Sequence, residues 1–515
     1  MRFERHSIAT GAASDANDFD VEHEIYREDA DRAELSVDTA QLARGVPGGD
    51  CSLAEHTNLM MKMFTRRLRS AVVVGTALVL QGCGGGVNTT PVAGSPSSLD
   101  TAFSVVGRSI YEATVPLGTL VPASTARKTA AALPNRLFLR GLNYSPQPNG
   151  VDISSAFSSN VLGDKNRATW SRDLESIRAA GVNAIKVYNV PPPAYDGGDK
   201  INSFLDAAWN GGTNPIFVVI TINIAARGAA LLDSGAVSSL VGQYHDLASE
   251  YAKKPAILGM AIGNELAVPA FTSQPQWWTA YNQIANAARK GFADGGDASK
   301  LIMSAEIDDI STVVAGERNS VAIDVWGINS YRGRTFTDFT TAYGAATKKP
   351  ILITEYGATA AYHPSIPTKY VYPTDGNKTL TAACTPNFIP GQNFPPTSPT
   401  DIAELPATGD RSMAGLVDYV TNTTTLIHDS FMTDQVLSGG FYFEWSDEWY
   451  KVGAVAGVVT GTQHLGSVPG WNGAFPGCSN DESWYGLNST VPGSPDVLTP
   501  RPSLTAISQV WKSEI

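Results

Sequence analysis

The chain is poor in cysteine, with four in 515 residues. That is too few for a disulfide-built scaffold, and none falls in the CxxC or Cys/His spacing of a structural zinc site. It also lacks a basic excess: 37 Lys and Arg stand against 49 Asp and Glu, a net charge of -12. With no surplus cation to neutralise phosphates, the composition argues against a nucleic-acid partner. The seven histidines form no ligand-spaced pair, so no catalytic metal is expected. A Gly-X-Ser-X-Gly elbow and a glycine-rich nucleotide loop are both missing, and no cofactor is expected. The apolar run from Ala71 to Leu80 is too short to span a bilayer. What remains is 43% hydrophobic, enough for a large core in one big domain or two ordinary ones.

Charge is unevenly spread. Residues 1–60 hold 13 acidic and 5 basic side chains without sustained apolar periodicity. They are expected to be disordered or absent from the mature protein. Residues 61–82 open on Met61-Lys62-Met63, continue through Arg66, Arg67 and Arg69 into the apolar run, and end in Leu80-Gln81-Gly82 before Cys83. A basic segment, a short apolar segment and small residues at the cut describe a secretory signal. The ending resembles a bacterial lipoprotein signal. That resemblance implies lipidation of Cys83, a mature chain starting there, a true start at Met60, Met61 or Met63, and attachment to the cell envelope through a lipid anchor in the membrane. Gly84 is not an inner-membrane retention aspartate, so the outer membrane is expected. The alternative is a buried helix with a chance cysteine. Residues 83–134 are rich in Gly, Ser, Thr, Pro and Ala, the composition of a flexible tether. Within it Phe103–Val106 and Ser109–Ala113 have strand character.

From residue 135 to 515 short β-rich runs alternate with longer helical ones. The strand candidates are Arg136–Asn143, Ala184–Tyr188, Ile216–Ile222, Ile257–Ile262, Leu301–Ala305, Val321–Ile328, Pro350–Thr354 and Leu437–Phe443. Between them lie helix candidates Trp170–Ala180, Ser203–Trp209, Ser238–Lys253, Trp277–Phe292 and Ser412–Asp429. Strand, crossover and strand imply a parallel sheet covered by helices. Eight such strands predict an α/β fold of the closed (β/α)8 TIM-barrel type. Two stretches, 356–410 and 445–499, are too long for ordinary loops and read as insertions after strands 7 and 8.

Two strands run into a glutamate. Ile257–Ile262 leads to Gly263-Asn264-Glu265, and Pro350–Thr354 leads to Glu355-Tyr356-Gly357. Catalytic groups of barrels project from this position. A pair of carboxylates across a cleft can run glycoside hydrolysis, one as acid and the other as nucleophile or base. The plainer alternative is that each glutamate favours the N-terminus of the helix that follows.

The order and content of these motifs resemble the retaining glycoside hydrolases of clan A. Asn264-Glu265 is similar to their acid/base motif and Glu355 to their nucleophile. Arg140-Gly141-Leu142-Asn143-Tyr144, Ala180 to Val190, Gly327-Ile328-Asn329-Ser330-Tyr331-Arg332 and Gly440 to Trp445 resemble segments of the family 72 β-1,3-glucanosyltransferases and their bacterial relatives. The resemblance covers most of residues 136–450. It implies a retaining glycosidase or transglycosylase acting on a β-glucan-like polysaccharide. In that picture Asn264 bonds the sugar 2-hydroxyl, Tyr331 bonds the nucleophile, and Tyr144 and Trp445 wall the sugar site. Lys186 stands where the family usually has an arginine, which supplies the charge without the guanidinium fork. Two other readings stay open: a non-catalytic polysaccharide-binding envelope lipoprotein, and a cellulase- or mannanase-like hydrolase of the same clan.

Ten aromatics fall between Phe441 and Tyr485, a density that suits sugar stacking as well as core packing. Glu444, Asp447 and Glu448 are candidates for sugar hydroxyls or for solvated loop charges. With Cys51 removed and Cys83 lipidated, Cys384 and Cys478 are the remaining pair. In an oxidising compartment they are expected to form a disulfide across the two insertions, the alternative being two free thiols.

Overall fold

A computed structural model describes residues 99–116, 135–148, 160–224, 227–336, 338–362, 403–409, 412–449, 466–469, 479–480 and 482–513. Segments 1–60 and 61–82, together with Cys83, Cys384 and Cys478, lie outside the described residues.

The apolar runs become strands because both faces are covered. Ile351–Tyr356, for example, is buried at every position, as parallel strands sandwiched by helices require. In chain order the barrel strands are β1 (Leu139–Asn143), β2 (Ala184–Lys186), β3 (Phe217–Thr221), β4 (Ile257–Ala261), β5 (Leu301–Met303, resuming as Glu306–Ile307), β6 (Trp326–Asn329), β7 (Ile351–Tyr356) and β8 (Leu437–Tyr442). All neighbours pair in parallel, and β8 pairs with β1. The first piece of β5 pairs with β4 and the second with β6, so one interrupted strand closes the ring. The join is reinforced by a bridge between Met303 and Val325.

Among the described residues, longer helices alternate with the strands: α1 (Arg167–Ala179), α2 (Asn202–Trp209), α3 (Ser234–Tyr251), α4 (Pro275–Gly295, preceded by a single turn at Pro269–Thr272), α5 (Ile310–Arg318), α6 (Phe339–Ala346), α7 (Met413–Met432) and α8 (Pro502–Lys512). This is the α/β barrel expected. Helices α3 and α4 approach closely because α4 presents Gly291 and Gly295, where a Cβ would collide with the carbonyls of His245 and Ser249. Strand β6 starts later than expected, at Trp326 rather than Val321. Asp324 interrupts the run, accepting from Ile302 N at 2.9 Å and pairing with Arg289.

Part of the expected tether is folded. Leu99–Val106 and Ser109–Pro116 form an antiparallel hairpin turning at Gly107, whose φ is +59°. It closes the face of the barrel where the strands begin. Phe103 packs edge-on to Phe217 at 5.3 Å, Lys300 Nζ donates to Thr101 O at 3.3 Å, and Ser438 Oγ donates to Arg108 O at 3.0 Å. Composition favoured a tether, but the strand character of Phe103–Val106 and Ser109–Ala113 is realised, with Phe103 and Ile110 buried.

The described parts of the insertions follow the C-terminal ends of β7 and β8. The first leaves and returns through a ladder of Ala361–Tyr362 with Ala403–Glu404. The second contains antiparallel pairs of Gly466–Pro469 with Ser479–Asn480 and of Asn488–Val491 with Val497–Pro500.

Candidate active site

The C-terminal ends of β2, β4, β6 and β7 converge on one hydrogen-bonded cluster. Glu355 is the fifth residue of β7, 6% exposed. Its Oε1 accepts from Lys186 Nζ at 2.9 Å and from Tyr188 OH at 2.7 Å, and its Oε2 accepts from Tyr331 OH at 3.0 Å. Lys186 and Tyr188 are two residues apart, so the alternation of a strand turns both inward. The ammonium also lies 4.1 Å from the centre of the Tyr188 ring. Burial and the neighbouring Glu355 charge raise the Tyr188 phenol well above its usual range, so it serves as a hydrogen-bond donor.

Beyond β4 the backbone turns sharply. Gly263 and Glu265 both adopt left-handed conformations, φ +63° and +54°, a rare state for a residue with a side chain. The turn is held by its own amides: Gly263 N donates to Tyr244 OH at 2.8 Å, Glu265 N to Ala305 O at 2.7 Å, and Ala267 N to Glu306 Oε2 at 2.8 Å. This brings Glu265 Oε1 to within 3.0 Å of Asn329 Nδ2. The Asn264 oxygen accepts from Lys186 Nζ at 2.9 Å and from Asn329 Nδ2 at 3.3 Å. Asn329 is in turn oriented by Thr354 Oγ1, which donates to its Oδ1 at 2.8 Å. A continuous chain of side chains therefore links the two carboxylates: Glu265, Asn329, Asn264, Lys186, Glu355.

Five of the residues singled out in the sequence, Lys186, Asn264, Glu265, Tyr331 and Glu355, meet in this network. Tyr144 and Trp445 lie apart from it, each 1% exposed. The Tyr144 hydroxyl donates to Asp173 on α1 at 3.0 Å, and its ring stacks on Phe204. Trp445 N bonds to Asn143 O at 3.1 Å, tying the end of β8 to β1. Asp447 is not a solvated charge. It is buried in a bidentate ion pair with Arg501, at 2.7 Å to each nitrogen. Glu444 and Glu448 are buried as well.

Sequence reasoning assigned no role to Tyr188, Asn329, Glu306 or Asp308. The first two were legible as the inward partners, two residues away, of Lys186 and Tyr331. Glu306 and Asp308 follow the break in β5, and no local pattern marks them.

The arrangement offers one carboxylate fixed by three donors and a second carboxylate, less buried, on the turn after β4. That pair can serve as nucleophile and acid/base.

No protein-family model and no curated protein sequence matches the chain. Among solved structures it is similar to a GH2 β-galacturonidase from Eisenbergiella tayi, with a TM-score of 0.46 and 14% identity over 80% of this chain and 54% of that one. It is similar to a mutant of Gas2p from Saccharomyces cerevisiae in complex with laminaritetraose and laminaripentaose, with a TM-score of 0.46 and 12% identity over 80% and 68%. A β-glucuronidase from Ruminococcus gnavus in complex with D-glucuronic acid gives a TM-score of 0.46 and 10% identity over 80% and 52%. The chain thus spans about half the length of the first and third of these proteins.

Proposed function

We propose that the chain is a retaining glycoside hydrolase or transglycosylase that acts on a β-glucan-like polysaccharide, with Glu355 as nucleophile and Glu265 as acid/base. The observation that carries this reading is the three-donor grip of Lys186, Tyr188 and Tyr331 on Glu355. An ammonium and two phenols favour the anion and fix the direction of its oxygens, as attack on an anomeric carbon requires. Glu265, part-exposed, protonates the departing glycosidic oxygen as its bond to the anomeric carbon breaks. Glu355 forms the ester to that carbon. Glu265, now a carboxylate, then takes the proton of the water or sugar hydroxyl that displaces Glu355. With its oxygen occupied by Lys186 and Asn329, the Asn264 amide presents its NH2 to the 2-hydroxyl.

The test is trapping with a 2-deoxy-2-fluoro β-glycoside that carries a good leaving group. Peptide mass spectrometry should find the sugar on the peptide containing Glu355 and nothing on E355Q. A label on another residue, or no turnover of any β-1,3-, β-1,4- or β-1,6-glucan, overturns the reading. The β-1,3 linkage rests on the sequence resemblance. Incubation with a β-1,3-gluco-oligosaccharide alone separates transfer, which gives longer products, from hydrolysis, which gives only shorter ones.

The proposal for location follows from the signal-like segment: export, lipid on Cys83 and anchoring in the envelope, with a disulfide between Cys384 and Cys478. Intact mass of membrane-extracted protein tests these points. A soluble product retaining residues 1–60 would refute the anchor.

A further inference from the structure

The break in β5 places two carboxylates where they touch the loops on either side. Glu306 lies on the side of β4, and its Oε2 accepts from Ala267 N at 2.8 Å and takes a further bond from Leu266 N. These amides belong to the left-handed turn that carries Glu265. Asp308 lies on the side of β6 and gathers four donors: Ser330 Oγ at 2.6 Å, Arg332 Nε at 2.5 Å, Arg332 Nη2 at 2.7 Å and Tyr343 OH at 2.7 Å. Ser330 and Arg332 flank Tyr331, the residue that donates to Glu355 Oε2.

We infer that Glu306 and Asp308 are positioning residues for the two halves of the site, Glu306 holding the turn that aims Glu265 and Asp308 holding Tyr331 on Glu355. The inference rests on the assignment of Glu265 and Glu355 proposed above. A turn with a side-chain-bearing residue at φ +54° persists only when its surroundings over-determine it. Here three amides of one short turn are fixed from two sides, by Tyr244 of α3 and by Ala305 and Glu306 at the break in β5, and two of the acceptors, Tyr244 OH and Glu306, are buried side chains rather than backbone. On the other side, Tyr331 is clasped at both chain neighbours by one carboxylate. The Arg332 guanidinium also lies 5.3 Å from the Phe339 ring centre and 5.8 Å from that of Tyr343, which limits its rotation. Neither carboxylate bonds Glu265 or Glu355 directly, so each acts through the backbone or through Tyr331.

Burial pushes the Glu306 carboxyl up to about 8. The groups facing it are the Tyr281 hydroxyl of α4, the Tyr244 hydroxyl of α3 and Glu265. In the neutral acid the carbonyl oxygen accepts from the amides of the turn. Glutamine reproduces that pattern and leucine does not.

The two roles leave different kinetic signatures. Protonation of the leaving group matters for a sugar alcohol and hardly at all for dinitrophenolate. The experiment compares kcat/KM per titrated active site on laminaripentaose and on the 2,4-dinitrophenyl β-glycoside of laminaritriose, for wild type, E265A, E306L, E306Q, Y244F and D308N. The expected result is that E306L loses roughly tenfold or more extra on laminaripentaose relative to the dinitrophenyl substrate. Y244F should shift the same ratio by less, and E306Q should restore it. D308N should lower both substrates together and slow trapping by the fluoro-sugar, with the ratio unchanged. Loss of folded protein alone moves neither quantity, because rates are referred to titrated sites. If E306L does not fold, Y244F reads the same turn. An unchanged ratio in E306L and Y244F, or trapping by D308N at the wild-type rate, overturns the inference. If E265A itself shows no dependence on the leaving group, the acid/base assignment has failed instead.

Discussion

The Lys186 ammonium meets the Glu355 carboxylate at 2.9 Å with the lysine side chain fully buried and the glutamate nearly so. The same nitrogen bonds the Asn264 oxygen at 2.9 Å. One point charge therefore does what an arginine fork would do with two nitrogens: it couples the proposed nucleophile to the residue beside the acid/base. Removing one member of a buried pair strands the other, which costs more than the pair is worth.

It follows that K186M should be destabilised by about 3 kcal/mol at neutral pH, whereas K186M/E355Q, with no stranded charge, should recover most of that loss. Chemical denaturation of the two variants checks this. Equal destabilisation would mean that the ammonium is held by something other than Glu355. K186R is not a conservative change here, because a planar guanidinium does not fit the space of one buried nitrogen.

Tyr188 and Tyr331 each give Glu355 one charge-assisted hydrogen bond. Loss of such a bond is worth about 1.5–3 kcal/mol, so Y188F and Y331F should each lower kcat/KM by roughly ten- to 150-fold while leaving unfolding transitions nearly unchanged. Wild-type kinetics in either variant would remove that tyrosine from the nucleophile's environment.

E265A should keep measurable glycosylation on activated substrates and stall at deglycosylation. Added azide, which needs no base to attack, should accelerate turnover and yield a β-glycosyl azide, the product of net retention. An α-azide would mean single displacement, and the carboxyl groups of Glu265 and Glu355 would then be too far apart for the proposed ester. About 5 Å between them is the separation that retention demands.

The barrel was legible because its strands are buried on both faces and so read as largely apolar runs, with polar residues concentrated toward their C-terminal ends. Glu265 and Glu355 stood out for that reason. The short helices α5 and α6 did not: Ser311-Thr312-Val313-Val314 and Thr340-Thr341 have weak helix preference, and tertiary packing decides them. Arg501 gave no signal, since its partner Asp447 is 54 residues away in sequence. The hairpin at 99–116 was legible in part, as strand character at Phe103–Val106 and Ser109–Ala113 within a stretch whose composition reads as a tether. Tyr144 shows a different limit. A motif fixes where a residue sits in the chain, but here the hydroxyl turns outward to Asp173 because α1 offers a buried acceptor there.

The Arg501 side chain joins Asp447 in the second insertion, Glu404 in the first and the Gly486 carbonyl, just ahead of α8. R501M leaves Asp447 buried without its cation and should cost about 3–5 kcal/mol. Because this ion pair is separate from the Glu355 cluster, KM for a glucan should change little in the fraction that stays folded. A large rise in KM with unaltered stability would instead make Asp447 a sugar ligand, the role for which the sequence left it a candidate.

Glu306 gives the fold a pH dependence whose sign can be worked out. Its carboxyl titrates at about 8 when folded, against an ordinary value of 4.5, because burial penalises the charged form. Below about 4.5 the group is protonated in both folded and unfolded chains and contributes no pH dependence. Between about 4.5 and 8 the folded chain keeps a proton that the unfolded chain has released, so stability falls as pH rises. Above about 8 both forms are ionised and the loss is complete. E306Q cannot ionise and lacks this decline. Thermal unfolding of wild type and E306Q from pH 5 to 9 should therefore show the wild type falling relative to the variant, with the gap levelling off above pH 8. Parallel curves would mean that Glu306 stays charged in the fold.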